Sequence, residues 1–227
     1  MRVVDLTGGL ERGMWRYDET FPAFEAEPAT ALEQAGYQVQ RVTLSTHMGT
    51  HTDAPGHLIP GGPMIDTFPL EAFVGWATVL RVRPCPPLEA IDAARLAGGG
   101  VEPRAGDAVL VETGWGTRWE RPDFAAEHPF LTVDAARWLL EHRVRCVGMD
   151  TAGLMDPRID LAPGAGDHTP VVDRLLLEAG VPYIAALCNL ESIRSDRPLF
   201  VALPLKLTGL DGAPVRAVVI EELAIGE

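Results

Sequence analysis

The 227-residue chain has no stretch that approaches the ~20 consecutive apolar residues needed to span a membrane. Its first residues, MRVVDLTGGLERGMW, also lack the apolar run of a secretory signal peptide. Cysteine is scarce: the three in the chain are Cys85, Cys146 and Cys188, and no two lie close in sequence. This odd number and wide spacing argue against a disulfide framework or a cysteine-based zinc site. We therefore expect a cytoplasmic protein.

Positive charge is also in short supply. The 19 lysines and arginines stand against 32 aspartates and glutamates, which gives a formal net charge of −13 at pH 7. This charge would repel the phosphates of a nucleic acid, and no run of basic residues offers a local exception. The G-x-S-x-G turn of a serine hydrolase is missing as well. We expect a small-molecule substrate, with neither nucleic acid nor a membrane as partner.

Short, valine-rich runs along the chain predict β-strands, and they outnumber the helical patterns. LEAIDAARLAGGG (88–100) ends in glycines, TVDAARWLLEHR (132–143) begins with Thr132 as a candidate N-cap, and VVDRLLLEAG (171–180) is closed by Gly180. There is no internal repeat or linker, so residues 1–227 are expected to form one domain of the α/β or α+β class. The predicted strands are RVVDL, YQVQRVTLST, WATVLRV, DAVLVET, VRCVGMD, VPYIAAL, FVALPLKL and VRAVVIEEL.

Three of the six histidines fall within eleven residues of the segment STHMGTHTDAPGHLIP. His47, His51, Asp53 and His57 all have odd numbers, so an unbroken strand would place them on one face. The Pro-Gly pair at 55–56 disfavours an unbroken strand, and we expect the run to become a loop near Asp53. Two imidazoles and a carboxylate are the ligands of catalytic zinc or manganese sites, which keep a coordination position for water or substrate. His47, His51 and Asp53 are the predicted metal ligands.

His57 lies slightly further along and is either another ligand or a group that moves protons. A water bound to such a metal can have a pKa near ~7 and become a nucleophile at neutral pH. Two other histidines lack this setting. His128 stands beside a proline in AEHPF and His142 ends a charged helix, and we expect both to be structural or exposed.

The motif HMGTHTDAPGH resembles the H-x-G-T-H-x-D-x-P-x-H signature of the metal-dependent cyclase family, which includes bacterial kynurenine formamidase and isatin hydrolase. The resemblance implies a swivelling β/β/α domain with a mixed sheet and flanking helices, assembled as a homodimer or homotetramer. It implies that His47, His51 and Asp53 bind metal, that Asp53 is placed to bridge two ions, and that His57 is the catalytic acid/base. Other segments with this likeness are VVDLTGGLERGMWRYD, GDAVLVETGW, VGMDTAG, LLLEAGVPYIAALCNLESI and LPLKLTGLDGAPVRAVVIE.

The resemblance breaks at the second metal. Family members with two ions have a histidine seven residues before the glycine of AGVP and a glutamate five residues after it. Counted from Gly180, these positions are Asp173 and Ala185, and alanine cannot bind metal. Three explanations stay open: one ion held by the first cluster alone, Asp173 as a hard oxygen ligand favouring manganese or magnesium, or His168 of GAGDHTP as a replacement. We expect a divalent metal, zinc or manganese, with one ion rather than two.

By the same resemblance, Trp15, Tyr17 and Phe21 lie in the segment that covers the site, where they suit a flat aromatic or cyclic substrate. Ordinary core packing explains them equally well. The expected function is hydrolysis of an amide or cyclic amide, with metal-bound water as the nucleophile and His57 as general acid/base. The alternative is a metal-dependent lyase or cyclase that eliminates water or closes a ring in a secondary-metabolite pathway. The intact histidine motif argues against a scaffold that only binds a ligand.

Overall fold

A nine-stranded mixed sheet is the frame of the protein in a computed structural model, which describes residues 1–159 and 170–222. The strands are β1 (Arg2–Asp5), β2 (Glu25–Thr30), β3 (Val39–Thr43), β4 (His51–Asp53), β5 (Val74–Arg81), β6 (Ala90–Ile91), β7 (Ala108–Glu112), β8 (Phe130–Leu131), β9 (Cys146–Met149), β10 (Tyr183–Ala185), β11 (Leu199–Val201), β12 (Gly212–Pro214) and β13 (Val218–Glu221). The helices are α1 (Leu32–Ala35), α2 (Ala93–Ala97), α3 (Val133–Glu141) and α4 (Val171–Glu178).

The large sheet has the strand order β1-β13-β11-β5-β7-β9-β10-β4-β12. Its centre, β5-β7-β9-β10, is parallel, and antiparallel pairs extend it on both sides. Central parallel strands are buried on both faces, and β7 is accordingly buried at every residue of AVLVE. Two smaller sheets, β2-β3 and β6-β8, lie outside it. The expected α/β fold with a mixed sheet and flanking helices is confirmed.

Two apolar layers cover the faces of the sheet. Helices α2, α3 and α4 supply one layer, in which Leu96, Leu139 and Leu176 are fully buried. The other layer consists of sheet residues and loop segments, including Phe73 and Phe200. None of the helices in the described part of the chain has the length and apolarity that a membrane crossing requires.

Local signals decide where the helices begin. Thr132 caps α3 as predicted, since its hydroxyl accepts the N–H of Ala135. The helix predicted for 88–100 is wrong in its first half, because residues 90–91 pair with β8 as a short strand. Asp92 then accepts the N–H of Arg95 at 2.8 Å and starts the helix there.

Candidate metal centre

Strand β4 carries two of the predicted ligands. It lies between β10 and β12, with His51 opposite Ala185 and Asp53 opposite Gly212. His51 and Asp53 alternate on one face, as expected, and both are buried. The run that was expected to become a loop near Asp53 is already interrupted before it, because β3 ends at Thr43 and a turn precedes β4. His47 therefore reaches the site from this turn and not from the face of a strand.

The three predicted ligands converge. The Nδ1 atom of His47 lies 2.8 Å from Oδ1 of Asp53, and Nε2 of His51 lies 3.3 Å from the same oxygen. One donor atom from each residue lies within 4.8 Å of the other two. Atoms bound about 2 Å from a tetrahedral ion are roughly 3.3 Å apart. The donor atoms are thus close enough for the three side chains to hold one divalent ion together.

The outer ring nitrogens of both histidines are occupied by acceptors. Nδ1 of His51 donates to the carbonyl of Gly49 at 2.7 Å, which leaves Nε2 facing Asp53. Nε2 of His47 donates to Oδ2 of Asp211 at 2.9 Å, and Nδ1 is the nitrogen that faces Asp53. Metal-binding histidines almost always donate their second N–H to a carbonyl or carboxylate. The residues thus fit a divalent ion in both donor type and tautomer.

Electrostatic interactions within the site shift the pKa values of His47 and Asp53. Burial alone would lower the pKa of His47, but the negative charges and hydrogen bonds of Asp53 and Asp211 raise it to about 9. Burial would raise the pKa of Asp53, yet His47 and His51 hold it well below its usual range. His47 is therefore protonated in the metal-free protein at neutral pH, and an ion must displace that proton.

His57 lies beside the ligand set in a short 3-10 helix, residues 55–57. Its Nδ1 atom is 3.1 Å from Oδ2 of Asp211, while its Nε2 atom is 3.9 Å from Oδ2 of Asp53. The imidazole lines the cleft and is 28% exposed. A neutral ring that donates Nδ1–H to Asp211 presents a free Nε2 lone pair to the cleft, which is the form of a general base.

The predicted second-metal position is built differently. Asp173 on α4 is buried, and burial together with the charge of Asp53 raises its pKa to about 7. Its Oδ2 has no hydrogen-bond partner among the described residues. Ala185 lines the same cleft without a donor atom, and the hydroxyl of Tyr183 donates to Oδ2 of Asp53. The proposed replacement His168 lies outside the described residues.

Two important groups at the site were not predicted. Asp211 precedes β12 and is 154 positions from His57 in sequence, so only the pairing of β12 with β4 brings it here. Its only sequence signal was its place within the family-like segment LPLKLTGLDGAPVRAVVIE. Tyr183 gave no signal beyond a strand residue, because an aromatic in an apolar run is typical of the core.

The cleft above the ligands is narrow and mainly apolar. Of the three N-terminal aromatics predicted for the substrate pocket, Tyr17 and Phe21 line this cleft, whereas Trp15 is not among the lining residues. The Trp15 ring packs instead against Trp119 and Phe124, with ring centroids 5.2 Å and 4.7 Å away. The remaining lining residues are His47, His51, Asp53, His57, Leu58, Ala152, Gly153, Met155, Pro170, Asp173, Tyr183 and Ala185.

The other two described histidines lie outside this cluster. His128 is fully buried, donates Nδ1–H to the carbonyl of Pro129, and has a pKa lowered by burial to about 4. His142 closes α3 and donates to the carbonyl of Trp138. Both are bound to their own backbone surroundings and not to the cleft.

Residues 4–155 of the chain match the sequence profile of the Cyclase family. The chain belongs to this family. It is 34% identical over 214 residues to the kynurenine formamidase of Paracidovorax citrulli, which covers 94% of both proteins. It is also 34% identical over 185 residues to the kynurenine formamidase of Bordetella petrii, covering 81% of this chain and 80% of that one.

A solved structure of isatin hydrolase A from Labrenzia aggregata has the same fold. It superposes with a TM-score of 0.80 at 26% identity, over 96% of this chain and 93% of that one. Membership of the family, the likeness to these hydrolases and the convergent histidine–aspartate cluster lead to one conclusion. The protein is a metal-dependent amidohydrolase.

Proposed function

We propose that the protein hydrolyses the amide bond of an aromatic formamide or of a cyclic amide fused to an aromatic ring, with one divalent ion, zinc or manganese. The observation that supports this most directly is the metal centre itself. His47, His51 and Asp53 direct three donor atoms to one point, and acceptors occupy the outer nitrogen of each imidazole.

The ion, when bound, supplies Lewis acidity that polarises a carbonyl and lowers the pKa of a coordinated water. The chain's own contribution to proton transfer is His57. Nδ1–H of His57 is held by Asp211, so its Nε2 can take a proton in the cleft and return it to the leaving amine. This assignment matches the role that the family resemblance gives to the last histidine of the motif.

The hydrogen bonding of the Asp53 carboxylate favours a single ion. A second ion would need the other carboxylate oxygen, Oδ2, but this oxygen accepts the hydroxyl of Tyr183. The neighbouring positions offer only Asp173, whose pKa is raised toward neutrality, and Ala185, which has no donor. These contacts oppose a second ion unless Asp173 ionises and Tyr183 turns away.

The substrate class follows from the lining of the cleft and from the relatives. The rings of Tyr17 and Phe21, with Leu58 and Met155, form walls that suit a flat aromatic group next to the ion. The named relatives are kynurenine formamidases and an isatin hydrolase, and isatin is itself a cyclic amide fused to an aromatic ring.

The test combines metal content with product analysis. Purified protein is loaded with zinc or manganese, its metal is counted, and formanilide-type amides and isatin are turned over in heavy-oxygen water. One ion per chain and one heavy oxygen in the carboxylate product are expected. Turnover without incorporation of the label would instead establish the lyase or cyclase reaction, and two ions per chain would contradict the single-ion site.

We further propose a homodimer or homotetramer in the cytoplasm. The hairpin of β2 and β3 exposes Tyr37, Val39 and Val42, although an isolated two-stranded hairpin is only marginally stable in water. A second copy of the chain would cover these side chains, and light scattering would measure the resulting molar mass.

The proposed cytoplasmic location agrees with the three cysteines, which are all free and buried, as is usual in a reducing compartment.

A further inference from the structure

Asp211 makes an unusual pair of contacts. A single carboxylate oxygen, Oδ2, accepts from His47 at 2.9 Å and from His57 at 3.1 Å. The first imidazole is a predicted metal ligand and the second is the proposed acid/base. Their rings lie against each other, with centroids 4.0 Å apart. One oxygen therefore sets the orientation of both.

We propose that Asp211 is a positioning residue that holds a metal-binding imidazole and the proton-transferring imidazole in register with each other. It is expected to act on two steps, metal binding and proton transfer, through its single atom Oδ2. It keeps Nδ1 of His47 directed at the ion, and it keeps Nε2 of His57 directed into the cleft. The part that concerns His57 rests on the proposed amide hydrolysis, whereas the part that concerns His47 rests only on metal binding.

The surroundings of Asp211 hold its carboxylate in place. The hydroxyl of Thr46 donates to Oδ1 at 2.9 Å, so both carboxylate oxygens are engaged. The backbone carbonyl of Asp211 accepts the N–H of Ala54 at 2.8 Å, which joins its loop to the end of β4. The carboxylate therefore has a partner besides the two histidines, and its backbone is joined to the end of β4.

The residue after Asp211 also fits this role. A Cβ added to Gly212 would lie 2.9 Å from Cε1 of His47 and 2.9 Å from the carbonyl oxygen of Thr52, closer than such atoms approach in proteins. The absence of a side chain at this position allows the imidazole to pack against the backbone beside its acceptor. Gly212 therefore leaves room for the His47 ring directly beside Asp211, the residue that accepts its hydrogen bond.

A different reading of the same atoms is a second metal site, because donor atoms of His47, His57 and Asp211 also lie within 4.8 Å of one another. That reading would require His47 to give up both ring protons and bridge two ions. A neutral metal-bound imidazole keeps one N–H, and Asp211 is the acceptor for it. The number of ions bound per chain separates the two readings.

The experiment compares Asp211→Ala and Asp211→Asn with the wild type and with Asp66→Asn. Asp66 is a matched control, because it accepts the N–H of Gly209 in the same loop and does not line the cleft. Zinc affinity by chelator competition should fall roughly 10- to 100-fold in Asp211→Ala, with one ion still bound at saturation. At saturating zinc, kcat should fall by a similar factor while KM changes little.

Proton NMR of the zinc-loaded protein gives a readout independent of activity. Two hydrogen-bonded imidazole N–H resonances, from Nε2–H of His47 and Nδ1–H of His57, should be present in the wild type and in Asp66→Asn. Both should vanish from Asp211→Ala. Asp211→Asn, which keeps an acceptor oxygen, should recover part of the zinc affinity and of kcat.

The outcomes divide clearly. Zinc affinity and kcat within twofold of the wild type in Asp211→Ala would overturn the proposal. Two ions in the wild type and one in that variant would also overturn it, and would make Asp211 a ligand. If the wild type hydrolyses none of the amides, the proposed function fails, while zinc affinity and the His47 resonance still test the positioning role.

Discussion

The polar groups on the two walls of the cleft differ in whether they have hydrogen-bond partners. On the β4 side, His51 and Asp53 have partners for every ring nitrogen and carboxylate oxygen that faces the site. On the side of α4 and β10, Asp173 has an oxygen with no partner among the described residues, and Ala185 contributes no polar group. The proposed ligands of the β4 wall are therefore held in position by hydrogen bonds, whereas Oδ2 of Asp173 is not.

We expect this difference to separate the residues that hold the metal from the residues that only surround it. Organised ligands lose little freedom when they bind, so their removal has a large effect. A partly satisfied carboxyl such as that of Asp173 is costly to bury as an anion, and burial with the charge of Asp53 raises its pKa to about 7. The comparison therefore predicts a steep order of effects along the cleft.

The largest effect is expected on the first wall. His51→Ala removes one of the three proposed ligands, and two remaining ligands rarely hold a divalent ion, so both bound metal and activity should be lost. Metal analysis after desalting checks this against His142→Ala, a histidine variant at the end of α3 and outside the cleft. Full metal occupancy in His51→Ala would show that the walls do not differ as described.

The next effect concerns proton transfer. His57→Ala should retain its ion, because His57 is not one of the three proposed ligands His47, His51 and Asp53, but turnover should slow by ~10²–10⁴. Metal content and kcat measured on the same sample check both parts. Loss of the ion from this variant would make His57 a ligand and would extend the metal-binding wall beyond β4.

The sequence predicted the elements whose signal is local. The apolar runs of the central strands and the Thr132 cap of α3 depend on neighbouring residues, and they lie where they were expected. β4 could not be separated from the preceding strand, because a three-residue strand exists only through its pairing with β10 and β12. The same holds for residues 90–91. They lie within a pattern that predicts a helix, but they form a strand because they pair with β8.

The site shows the same limit. His47, His51 and Asp53 are close in sequence, so their convergence could be predicted from spacing and motif. Asp211 and Tyr183 contact them from 164 and 130 positions away, and no local pattern marks a residue for such a contact. The sequence already showed Asp173 and Ala185 at the second-metal positions. The structure adds that the hydroxyl of Tyr183 donates to Oδ2 of Asp53, the oxygen that faces those two residues.

The smallest effect, and the sharpest comparison of the walls, is the pH dependence of metal affinity. The pKa of His47 is raised to about 9, so binding must release its proton, and affinity should rise about tenfold per pH unit between pH 7 and 8.5. Chelator competition with zinc from about pH 5.5 to 8.5 measures the slope on both sides of pH 7. If Asp173 were also a ligand, its pKa of about 7 would add a second proton below that pH. A slope that steepens below pH 7 in the wild type but not in Asp173→Asn would place the ion between both walls. Equal slopes would leave it on the β4 wall alone, because only the histidine's proton would then have been exchanged for the metal.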